Sequence, residues 1–89
     1  MTTLDEVLLV LTNVPDRDTA MKLAHALIDG RFAACVNVLP GATSVYRWQG
    51  KVESAEEIPL LIKTTRARYA ALEAEIRRLH PYEDRKSVV

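Results

Sequence analysis

Two side chains in this chain stand out for their chemistry, Cys35 and His80. A thiolate and an imidazole are the ligand types that suit copper or zinc. They come from distant segments, so spacing alone makes no tetrahedral site. Each also has an ordinary structural reading. Cys35 is the only cysteine and lies mid-strand between Ala34 and Val36, where a lone cysteine serves as a small buried apolar residue. His80 ends a helical pattern just before Pro81, and a partly charged imidazole there would cap the helix C-terminus. His25, spaced off the apolar positions Leu23 and Leu27, reads as a solvated residue.

A second constellation is Tyr46, Trp48, Glu57 and Lys63. Tyr46 and Trp48 share one strand face, which is aromatic cover for a hairpin or a subunit contact as readily as a ligand platform. Lys63 interrupts the apolar run LLIKTT, so it must snorkel, meet a carboxylate or line a polar cleft. Glu57, six residues earlier, falls on the same strand face and could meet it through a neighbouring subunit or a ligand. No signal points to catalysis. The chain has no Gly-rich phosphate loop, no His-x-x-x-His or Cys-x-x-Cys pair and no serine in a nucleophile elbow. A Cys35/His80 nucleophile pair is formally possible, but a mid-strand cysteine without an electropositive setting has nothing to activate it. The expectation is a binding protein with no catalytic residues.

These side chains must be positioned by a long hairpin over Phe32 to Thr65. Ala33 to Leu39 is rich in small and β-branched residues, and Thr43 to Trp48 resumes the extended pattern after Pro40 and Gly41, which predicts one strand broken by a kink or bulge. Gln49-Gly50-Lys51 reads as the turn, and the chain returns through Glu53, Glu56 and Glu57 into IPLLIKTT. Before the hairpin, VLLVL predicts a central strand covered on both faces. Asp16 then suits an N-cap, Asp18 the first turn, and Ala20, Leu23, Ala24, Leu27 and Ile28 one helix stripe. Gly30 sits where a left-handed residue would close that helix. After the hairpin, Tyr69, Leu72, Ile76 and Leu79 form a second stripe, with Thr65 as a cap and Pro81 as the stop. The order βαββα, with right-handed crossovers, predicts an α+β, ferredoxin-like sandwich: a long central β-hairpin, and two helices on one face of an antiparallel sheet.

The chain has 89 residues, 48% hydrophobic and 27% charged, with a formal net charge of zero. A single domain of this size buries only about 60 to 65% of its unfolded surface, so a partner surface is expected to add stability. Zero net charge supplies no global field towards nucleic acid or an anionic membrane, and neither is expected as a partner. One cysteine makes no internal disulfide, and MTTLDEVLLVLT lacks the basic region and length of a signal peptide or span. A reducing cytoplasm is the expected compartment.

The motifs TNVPD, AACVNVLPGATSVYRWQGK, LLIKTT and HPYE, in that order, closely resemble the CutA family, small proteins linked to tolerance of divalent cations. The resemblance covers about the first 83 residues and implies the ferredoxin-like fold, a homotrimer, and binding of copper or another divalent cation in the response to metal ions. Family positions matching AACV and HPY assign the metal to Cys35 and His80. A further cysteine of some members corresponds here to Thr12, which argues against a thiolate-rich site. The resemblance also brings Tyr82 and Glu83 near Tyr46, Trp48, Glu57 and Lys63 in an inter-subunit cleft like that of the nitrogen-regulatory PII trimers. This implies the alternative function, a PII-like signalling protein that binds a small anionic ligand or a partner without a metal role. Similar proteins continue into a further strand and a C-terminal helix where this chain has Asp84 to Val89. Residues 1–89 are therefore expected to form one CutA-like domain whose last strand and C-terminal helix are missing or altered.

Overall fold

A computed structural model describes residues 6–79 and 87–88. Its elements are β1 (Val7–Val14), α1 (Arg17–Asp29), β2 (Cys35–Val38), β3 (Ala42–Trp48), β4 (Lys51–Thr65), α2 (Arg66–Leu79) and β5 (Ser87–Val88). The strands lie in the order β2-β4-β1-β5, with β3 also paired to β4. Every pairing is antiparallel. This is the α+β, ferredoxin-like arrangement expected from the sequence.

β4 is the strand on which the sheet is built. Its inner half lies between β1 and β2, with Ile62 opposite both Val10 and Val36, and its outer half pairs with β3 as far as Trp48 opposite Lys51. β2 and β3 follow one another along β4, but their registers differ. Val38 faces Leu60 whereas Ala42 faces Glu57, so three residues (39–41) stand against two (58–59). That extra residue is a bulge, placed where Pro40 lacks an N–H and Gly41 has no side chain. The hairpin closes through Gln49 and Gly50, both at positive φ (50° and 79°), the primed two-residue turn that matches strand twist.

Alternation decides which side chains enter the core. Leu8, Val10, Thr12 and Val14 of β1 are buried, as are Leu60, Ile62 and Thr64 of β4. Against this face pack Ala20, Leu23, Ala24 and Leu27 of α1 and Leu72 and Ile76 of α2, in one apolar cluster. VLLVL is therefore not covered equally on both faces: Leu9 and Leu11 point the other way and are only half-buried. Ile28, placed on the α1 stripe by periodicity, is 41% exposed.

The start of α1 follows the sequence and its end does not. Asp16 caps the helix, accepting a 2.8 Å hydrogen bond from the Thr19 N–H. That backbone hydrogen bond holds the Asp16 carboxyl below the ordinary carboxylate range. Because the folded-state pKa is depressed, the stabilisation is present above the unfolded pKa and is lost as pH falls through the folded one. Asp16→Ala should accordingly lower the melting midpoint at neutral pH, with the gap to the parent closing in acid below the Asp16 titration; a pH series of thermal melts checks this. At the other end Gly30 has φ −81°. The left-handed residue is Arg31 at φ 61°. The Phe32 N–H donates to the Leu27 carbonyl (2.9 Å) and the Arg31 N–H to that of Ile28 (3.0 Å), a Schellman closure with arginine in the glycine position. Gly30 is needed for space instead: a Cβ there would lie 2.8 Å from Phe32 Cδ2 and closer still to Cε2.

The terminal pair Ser87–Val88 lies beside β1, with Ser87 opposite Leu11 and Val88 opposite Val10. Two residues thus pair along the outer edge of β1.

Candidate metal and ligand face

Register places the candidate side chains on one surface. Residues directly opposite in an antiparallel pair share a face, so Cys35, Lys63 and Leu9 form one row and Asn37, Leu61 and Leu11 the next. This is the face turned away from the helices. Along the hairpin it continues through Glu57 opposite Ala42, Glu53 opposite Tyr46 and Lys51 opposite Trp48. Tyr46, Trp48, Glu57, Lys63 and Cys35 therefore share a single face of the sheet, as two-residue spacing predicts within each strand.

They are not gathered into one pocket. Lys63 and Glu57 are roughly 20 Å apart along β4, and Lys63 lies roughly 40 Å from the Trp48 row, at about 3.3 Å per residue. Lys63 is exposed, whereas Glu57 is only 3% exposed. Trp48 is 44% exposed near the hairpin tip. A cleft using all of them requires more than one copy of the hairpin.

Cys35 opens β2, half-buried, with its thiol 3.9 Å from Asn37 Oδ1, a weak contact. Its cross-strand neighbour is Lys63, which gives it the positively charged companion that its sequence neighbours lack. Thr12 is 1% exposed and lies on the opposite, helix-covered face. A cysteine at that position would stand on the other side of the sheet from Cys35, so the two could not close on one ion within a chain. His25 is exposed on α1, where it borders a shallow pocket with Val36 and Val38 on the helix-covered side of the sheet. Among the described residues no cluster of three or more His, Cys, Asp or Glu could hold a metal ion. His80, Tyr82 and Glu83 lie outside the described residues. No helix among those residues is long and apolar enough to cross a membrane.

Sequence reasoning overlooked the apolar rows on this face. Leu9, Leu11 and Leu61 are half-buried and stand outside the core cluster. The alternation of β1 against its partner carries that information, but a continuous apolar run conceals it until register is known.

The fold and the motif order point the same way as comparison with known proteins. Residues 8–89 match the family described as CutA1 divalent ion tolerance protein. The chain belongs to the CutA family. It is 48% identical over 73 residues to the divalent-cation tolerance protein CutA of Thermus thermophilus, covering 82% of this chain and 71% of that protein. To the CutA homolog of Xenopus laevis it is 44% identical over 69 residues, covering 78% and 46% respectively. Among solved CutA structures, the Thermus thermophilus protein superposes with a TM-score of 0.90 at 42% identity, covering 93% of this chain and 82% of that one. CutA1 of Oryza sativa gives 0.91 at 34% identity, with 99% and 82% covered. A CutA of Archaeoglobus fulgidus, described as periplasmic, gives 0.88 at 26% identity, with 93% and 81% covered. In this CutA chain the sheet is centred on β4, with Cys35 on its helix-free side.

Proposed function

We propose that this chain is a divalent-cation tolerance protein that binds copper or a similar ion in the response to metal ions, through Cys35 and His80, as a cytoplasmic homotrimer without enzymatic activity. The observation that carries the proposal is the family match over residues 8–89, with the only cysteine half-buried on the helix-free face rather than sealed in the core. A soft thiolate and an imidazole are donor types that suit copper. One cysteine and one histidine per chain make a sparse donor set, which supports a weakly held ion or one shared between subunits. The apolar rows on the same face, in a chain too small to bury much surface alone, support self-association.

Native mass spectrometry with and without equimolar copper tests this. The parent is expected as a trimer that gains copper in stoichiometric proportion. Cys35→Ser combined with His80→Ala should abolish that uptake while circular dichroism remains that of the parent. Undiminished uptake by the folded double variant would overturn the assignment. The alternative PII-like reading needs Lys63 of one chain and the Trp48 end of another chain's hairpin to meet between subunits, since the two stand far apart along the hairpin of a single chain.

A further inference from the structure

On the other side of the sheet, between the end of α1 and the start of α2, the chain encloses an open cavity of about 250 Å³. Ile28, Ala33 and Ala34 supply apolar lining, Thr64 and Thr65 border it, and Arg31 and Arg68 bring two cationic side chains to it. Neither arginine enters an ion pair among the described residues, whereas Arg66, Arg77 and Arg78 each hold a glutamate. Arg68 is nonetheless fixed: its Nη1 donates to the Arg31 carbonyl at 2.5 Å. One bond leaves most of the donors of its fork for another acceptor.

Arg31 occupies this place at a conformational cost. It is the left-handed residue of the α1 closure, a position glycine fills without strain. The helix closure holds Arg31 in this conformation, and its side chain brings a second positive charge to a cavity that already has one. Two cationic side chains border one small apolar-walled space, and an anion seated there would accept charge-assisted hydrogen bonds from both. The exposed Ile28, which the core does not use, gives the cavity a wall that a bare inorganic ion would not need.

We infer that this cavity binds a small organic carboxylate, its oxygens held by Arg31 and Arg68 and its short aliphatic body packed on Ile28, Ala33 and Ala34. Neither Cys35 nor Lys63 lines this cavity.

The test is a titration of the full chain at constant ionic strength with three probes: 4-methylpentanoate, the matching alcohol 4-methylpentanol, and inorganic phosphate. Binding is read from amide chemical shifts of Ala33, Ala34 and Thr65. The carboxylate is expected to give saturable shifts in the millimolar range. The alcohol should give none, and phosphate should bind at least about tenfold more weakly, since it leaves the apolar wall unfilled. Arg31→Gly should weaken carboxylate binding by at least about tenfold through loss of one charged hydrogen-bond partner. Its melting midpoint should be unchanged or raised, because glycine relieves the left-handed strain. Absence of saturable shifts, equal binding of alcohol and acid, or parental affinity in Arg31→Gly would each overturn the inference. Phosphate binding as tightly as the carboxylate would also overturn it, by showing a simple oxyanion site.

Discussion

Ile62→Ala should destabilise the chain by about 3 kcal/mol, the usual cost of deleting most of a buried isoleucine. Ile62 is fully buried in the middle of the sheet's central strand, opposite Val10 on one side and Val36 on the other. Its neighbours cannot easily collapse into the gap, because three strands fix its position and the apolar cluster beneath α1 and α2 closes over it. For a domain of this length the melting midpoint should fall by roughly 10 to 20 °C. Val52→Ala in the same strand is the control. Val52 is 66% exposed on the outer half of the hairpin, and its truncation should change stability by less than about 0.5 kcal/mol. Denaturant melts at one fixed chain concentration separate the two variants. Equal losses would mean that the outer hairpin is held as firmly as the inner sheet, contrary to the burial along β4.

How much of this was legible in the sequence depends on whether a feature is local. The Asp16 cap, the interruption at Pro40-Gly41 and the hairpin turn, read as Gln49-Gly50-Lys51 although Lys51 already belongs to β4, were readable because each follows from what a few residues permit their own backbone to do. The α2 stripe was readable because Leu72 and Ile76 repeat at helical spacing. What escaped was set by contacts between segments. Gly30 and Arg31 are adjacent, and helix-end statistics favour glycine as the left-handed residue; only the Phe32 ring against Gly30 reveals that the glycine answers a steric demand. Ile28 continues the α1 stripe, yet it borders an open cavity formed with residues of the β4 end and α2. At the candidate site, the residue types were visible but their relations were not. That Cys35 faces Lys63 follows from one register, and a slip of a single residue would have sent the thiol into the core. The separation of Lys63 from Trp48 was hidden for a similar reason: shared parity says nothing of distance along a fifteen-residue strand.

Leu11→Lys combined with Leu61→Lys should convert the proposed trimer into single chains. These leucines stand directly opposite each other in the β1/β4 pairing. Both are half-buried on the face that the helices leave uncovered, and neither belongs to the core cluster. In an isolated chain two lysines there would keep their ammonium groups in water by snorkelling, and the fold would lose little. In an assembly that buries this face the same groups would be desolvated side by side, with cross-strand Cβ atoms only about 5 Å apart, and association would lose several kcal/mol. The two situations therefore predict different outcomes for one variant. Sedimentation velocity should show a fall from three chains to one, while far-ultraviolet circular dichroism retains its mixed helix and strand signal. A double variant that still sediments as a trimer would rule out this face as the contact. A variant that dissociates and also loses copper uptake, with Cys35 and His80 intact, would place the ion between subunits, since both metal donors would still be present in every chain.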